Sequence, residues 1–140
     1  MLIAKHFSIG EFACHDGTEY PLKWMTRLQK LVDILDPIRD EWGSPLHVRS
    51  GYRTSGWNIR VGGAPFSQHV QGRAADIYPN DPRESDQLHA LILKMFDQGK
   101  IQGLGGLGRY PGKWVHCDVR DRVPQGHLAQ WTGSGIGSEQ

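Results

Sequence analysis

Apolar positions along the chain fall into two long helical patterns and several short alternating ones. Leu22, Met25, Leu28, Leu31, Val32, Leu35, Ile38 and Trp42 recur at the spacing of one helix face, which predicts an amphipathic helix over residues 22–42. Pro37 inside it lacks a backbone donor, so a kink or split is expected near Asp36. After the breakers Gly43, Ser44 and Pro45, residues Leu46–Ser50 alternate as a short strand, and residues 51–65 read as a loop punctuated by Gly56, Gly62, Gly63 and Pro65.

A second strand is expected over residues 74–78. Asp81, Pro82 and Glu84 then form a helix start in which Asp81 caps, Pro82 opens and Glu84 reaches back. That helix should run to Gln98 and stop at Gly99, with Leu88, Leu91, Ile92 and Met95 as its apolar face. Residues 104–109 predict a glycine-rich strand. Residues 114–120 alternate most cleanly, with Val115, Cys117 and Val119 against Trp114, His116, Asp118 and Arg120. After Trp131 the run TGSGIGSEQ offers nothing to bury, so residues 133–140 are expected to form a mobile tail. The fold class that follows is α+β: one domain over residues 1–132, with a mainly antiparallel sheet of short strands flanked by helices.

Composition narrows the functions open to such a domain. The 140 residues carry 38% hydrophobic content, enough for one core. Sixteen basic residues against fifteen acidic ones leave a net charge of +1 and no broad field to attract nucleic acid or anionic lipid, and neither partner is expected. No apolar run reaches membrane-spanning length, and residues 1–10 lack the layout of a secretory signal. The expectation is a monomer made in the cytoplasm. Cys14 and Cys117 are too few and too far apart for a disulfide framework and read as free thiols.

The chemistry concentrates in two segments. In S67-Q-H-V-Q-G-R-A-A-D76 a chain that leaves a loop at His69, turns at Gly72 and enters a strand by Ala74 can bring His69 and Asp76 to one point, with the aspartate at the mouth of a site. In W114-V-H-C-D-V-R120 the alternation turns His116 away from the core, where it has the geometry for a third ligand. Two imidazoles and one carboxylate that leave a tetrahedral position open are the requirement for catalytic zinc. Spacing alone also permits ordinary core or surface histidines, the reading given to His6, His15, His47, His89 and His127.

Taken together, S50-G-Y-R-T54, Asn58 with V61-G-G-A64, S67-x-H-x-x-G-x-A-A-D76 and W114-V-H-x-D118 resemble the M15 peptidases, the D-alanyl-D-alanine carboxypeptidase and peptidoglycan endopeptidase group. The resemblance spans residues 7–131 and implies a zinc peptidase domain of the hedgehog-like type. It also implies Zn2+ on His69, Asp76 and His116, and Arg53 assisting at the substrate carbonyl. Ser67 and Asp118 are candidates to hold the ligating histidines through their second nitrogens, and Asp118 is also a candidate general base. Trp114, Tyr52 and Gln68 are expected at the substrate, with Trp57 near the cleft.

One position departs from the family pattern. Many members carry an acid three residues before the last histidine ligand, and here that residue is Lys113, which leaves the base unassigned or meets a carboxylate on the substrate. The implied activity is hydrolysis of a peptide bond in a peptidoglycan stem peptide or another D-Ala-containing peptide. An origin as a phage or prophage product, released at lysis or carried in a virion, fits it. The alternatives are a zinc-binding module of the same fold without turnover, and a metal-free structural protein. G103-L-G-G-L-G108 matches a dinucleotide fingerprint but follows a helix and precedes a strand, the wrong context for nucleotide binding.

Overall fold

The structure, a computed structural model, describes residues 4–121 and 127–135. Helix α1 (Met25–Trp42) is preceded by a 3-10 turn, Leu22–Trp24, and buries Leu28, Leu31, Val32, Ile34, Leu35 and Ile38. Leu22, expected on the apolar face, is 73% exposed because it lies in the preceding turn, off the helix stripe. Gly43 closes α1 in the left-handed conformation (φ 82°), its N–H bonded to the Arg39 carbonyl.

The expected split at Pro37 does not occur, and α1 is one continuous helix. Each buried aliphatic side chain on either side of Pro37 contributes about 1.5–3 kcal/mol. An interior proline costs about 3 kcal/mol, so packing carries the helix through it.

Five strands follow the expected order in part: β1 (Leu46–Ser50), β2 (Ala74–Pro79), β3 (Gly106–Tyr110), β4 (Trp114–Asp118) and β5 (Ala129–Thr132). They lie side by side as β1-β2-β4-β3-β5, antiparallel except where β5 runs parallel to β3. Helix α3 (Ser85–Asp97) follows a short 3-10 turn, Pro82–Glu84, at which the Asp81 carboxylate accepts from the Arg83 N–H. Together α1 and α3 cover one face of the sheet, where Ala75, Ile77, Leu107, Val115 and Cys117 join Leu28, Leu35, Leu88, Ile92 and Met95 in the core. Two elements differ from expectation. Residues expected as loop contain helix α2 (Ser55–Arg60), capped by the Thr54 hydroxyl accepting from the Trp57 N–H. Strand β5 falls where no strand was expected.

Strand register sets up the other face. Ser50 pairs with Asp76, Asp76 with His116, His116 with Gly108, and Gly108 with Trp131, so one row crosses all five strands. Directly paired residues project to the same side of a sheet. The row therefore gathers a carboxylate, an imidazole and an indole on the face that α1 and α3 leave alone.

Of the tail expected over residues 133–140, residues 136–140 lie outside the described residues. Residues 133–135 are docked: the Gly133 N–H bonds the Arg109 carbonyl, and a Cβ at Gly133 or Gly135 would come within 2.5 Å of the Tyr110 or Trp114 ring. Among the described residues no helix is long and apolar enough to cross a membrane.

Candidate metal centre

His69 reaches the site from a tight turn. The Gly72 N–H bonds the His69 carbonyl, and Gly72 adopts φ 69°, which only glycine takes without strain, before the chain enters β2. The Tyr20 hydroxyl locks that turn by donating to the Gly72 carbonyl at 2.6 Å. Asp76 and His116 arrive on adjacent strands in register. The result is a group in which one ligand atom from each of His69, Asp76 and His116 lies within 4.8 Å of the others.

Each imidazole has one nitrogen committed and one aimed inward. His69 Nδ1 lies 2.7 Å from the Gly51 carbonyl, which makes it the N–H donor and leaves Nε2 as a lone pair. His69 Nε2 sits 3.3 Å from Asp76 Oδ1 but makes no hydrogen bond, and Asp76 Oδ2 makes none either. His116 Nε2 lies 2.7 Å from Asp118 Oδ2, leaving Nδ1 to face Asp76 Oδ1 at 3.0 Å. Buried polar atoms without partners cost stability unless something else satisfies them. A cation bound by His69 Nε2, Asp76 and His116 Nδ1 would do so, with Gly51 and Asp118 holding the outer nitrogens as ligating histidines require.

The electrostatics agree with a cation there. Burial disfavours the charged form of His116, yet hydrogen bonds to Asp118 and Asp76 outweigh it and push its pKa up to about 9. His69 is held below its ordinary value by burial, only partly offset by Asp76. Burial raises Asp76, but its two histidine neighbours outweigh that and hold it below the usual carboxylate range. The carboxylates of Asp76 and Asp118 thus favour positive charge at His116, and a metal ion held by Nδ1 would supply it.

The remaining expected residues fall as follows. Arg53 is fully buried, with Nε bonded to Ser50 Oγ at 3.2 Å, one terminal nitrogen bonded to Asn58 Oδ1 at 3.2 Å, and the other 3.6 Å from Asp76 Oδ2. Burial pulls its pKa down to about 10, so it stays charged at neutral pH. Asp118 accepts from His116, from the Arg120 guanidinium at 2.7 and 2.9 Å, and from the Arg120 backbone N–H. Burial raises Asp118, but these bonds hold it below the ordinary range, making it a weak proton acceptor. Ser67 accepts from the His69 backbone N–H instead of from a ring nitrogen.

Several expectations change in the folded chain. Asp76, expected at a mouth, is 1% exposed. Trp114, expected against substrate, is buried, with the Arg49 guanidinium 3.9 Å over its ring and Tyr110 stacked at 4.8 Å, so it is part of the wall. Tyr52 is half-buried and meets Tyr20 and Trp24 edge-on, while Gln68 is half-buried beside the ligand turn, its carbonyl accepting from the Arg73 N–H. Trp57 stacks with His15, whose ring nitrogen lies 2.6 Å from the Arg49 carbonyl. Lys113 donates to the Ser134 carbonyl at 2.7 Å and ties down the docked segment. His6, His15 and His47 bond Asp40, the Arg49 carbonyl and Asn80, away from the centre.

A residue that sequence reasoning left out also stands here: the Trp131 ring lies 4.9 Å from that of His116. The glycines of β3 explain the close approach. A Cβ at Gly106 would collide with the Asp118 carboxylate, and one at Gly108 would come 2.7 Å from the indole.

The family model described as Peptidase M15 matches residues 5–118, a segment that contains the three candidate ligands. The chain belongs to the M15 peptidase family. No curated protein matches it. Membership in this zinc-dependent metallopeptidase family and the buried His69, Asp76 and His116 group agree on what the centre is built to hold.

Proposed function

We propose that the chain is a zinc peptidase that hydrolyses a peptide bond in bacterial cell-wall stem peptides, as a D,D-carboxypeptidase or an endopeptidase. The observation that carries the metal part is the pair of orphaned buried atoms, His69 Nε2 and Asp76 Oδ2, beside His116 Nδ1. The substrate class is supported by the resemblance of the ordered motifs around these ligands to the D-alanyl-D-alanine carboxypeptidase and peptidoglycan endopeptidase group.

When bound, zinc supplies a Lewis acid that polarises a carbonyl and acidifies a water. The chain's residues prepare that chemistry. His69 and His116 present one lone pair each because Gly51 and Asp118 fix their outer nitrogens. Asp76 contributes the negative charge that favours the cation. Arg53, held by Ser50 and Asn58, is a fixed cation beside the centre and stabilises negative charge that develops on the carbonyl oxygen.

One observation favours a second reading, a zinc-binding module without turnover: Lys113 stands where an acid is found in many members, and it is bonded to Ser134. A single experiment separates the two. Zinc-loaded protein is incubated with purified peptidoglycan and with D-alanyl-D-alanine, and released fragments are identified by mass spectrometry. Fragments support the peptidase reading and name the bond, whereas a folded, zinc-loaded sample that releases none leaves the binding module.

A further inference from the structure

We propose that Trp131 is a positioning residue of the metal centre, its indole backing the His116 imidazole so that Nδ1 stays turned toward Asp76 and the ion. This rests on the metal-centre reading above. Trp131 lies beyond residues 5–118, the segment that the family model matches, and belongs to the parallel edge strand β5.

The strand row makes the contact. Asp76, His116, Gly108 and Trp131 are successive partners across β2, β4, β3 and β5, so the imidazole stands between the carboxylate on one side and the indole on the other. Only Gly108 separates His116 from Trp131, and it has no side chain to fill the gap. The two rings meet at 4.9 Å with their planes 52° apart.

The indole is itself fixed. Its Nε1–H donates to the Tyr110 hydroxyl at 3.1 Å, and the Arg120 guanidinium lies 5.1 Å from its ring centre. The same guanidinium bonds both oxygens of Asp118, the group that accepts from His116 Nε2. Arg120 therefore joins the two supports of one imidazole. Asp118 holds the ring by a single hydrogen bond, about which it can still swing. The indole removes that swing and keeps Nδ1 turned toward Asp76 Oδ1, 3.0 Å away.

Cobalt(II) is the probe, because its visible absorption reports ligand geometry. Trp131→Leu keeps apolar bulk on β5 but removes the ring. It is expected to bind cobalt roughly tenfold more weakly, in competition with a chromophoric chelator, and to show an altered visible band, as loss of an outer support does at metal sites. Trp131→Phe restores a ring and should recover most of both. Circular dichroism and thermal melting establish that each variant is folded. If Trp131→Leu does not fold, Gly108→Ala displaces the indole without deleting it, and the same two changes are expected.

A folded Trp131→Leu protein with the parent's cobalt affinity and spectrum overturns the proposal, as does a Phe variant no better than Leu. If the parent chain takes up neither cobalt nor zinc, the metal-centre reading falls and this proposal falls with it. If the parent binds and the variants bind equally well, only this proposal fails.

Discussion

Asp118→Asn separates the two roles that a carboxylate beside the second histidine can play. Its oxygens accept from His116 Nε2 at 2.7 Å, from Arg120 side-chain nitrogens at 2.7 and 2.9 Å, and from the Arg120 backbone N–H at 3.0 Å. Asparagine keeps one acceptor oxygen and turns an amide N–H2 toward the donors on the other side. Hydrogen bonds to charged groups contribute about 1.5–3 kcal/mol each. The Arg120 side chain is 29% exposed and can turn to water, which limits the loss. A destabilisation of about 2 kcal/mol is expected by thermal or denaturant unfolding.

The functional loss is read from zinc. Removing a support from a ligating histidine weakens metal binding by roughly 10–100-fold. Turnover of the Asn variant should therefore fall at limiting zinc and recover as zinc saturates. A general base behaves in the opposite way: zinc affinity is kept, and kcat stays about 10²–10⁴-fold down at saturating zinc. That second pattern would refute a positioning role for Asp118.

Three further outcomes are expected. Arg53→Lys cannot span Ser50, Asn58 and Asp76 together, so turnover should fall about 10²-fold with zinc stoichiometry unchanged, and full turnover would remove Arg53 from the reaction. Gly72→Ala forces a side chain into φ 69° with its Cβ 2.8 Å from Trp24 and Tyr20; a loss of about 1–3 kcal/mol, lowering Tm by several degrees, is expected, and an unchanged Tm contradicts the turn argument. Tyr20, whose pKa burial pushes up to about 12, keeps its proton more tightly folded than unfolded. Its contribution is fully present below pH 10 and is lost as pH rises toward 12, and a Tyr20→Phe variant whose stability falls equally over that window would rule Tyr20 out as the cause.

What the amino-acid pattern revealed of this molecule depends on how far apart the interacting residues are. Period-two alternation in β2 and β4 needs only local sequence, and it put Asp76 and His116 off the core face, where register then pairs them. Helix α1 was legible for the same reason, its stripe repeating over five turns. Helix α2 was not: six residues that include Gly56 and bury only Asn58 carry no stripe, and its one signal was Thr54 placed to cap. Strand β5 was hidden because four residues that pair parallel with a distant glycine strand have no local partner.

The burial of the site was equally invisible, and it has a consequence for mechanism. Alternation separates core from non-core faces, but it cannot tell a face open to water from one covered by loops. Asp76, His69, His116 and Arg53 are all within 1% of full burial, so each charge there is met by another group in the cluster. The glycines at 106 and 108, predicted as part of a glycine-rich strand, are the other half of that burial. They clear the floor of the sheet for Asp118 and Trp131 to close around His116. Side chains packed this tightly are held in place by their own partners, as a group built to receive a metal ion requires.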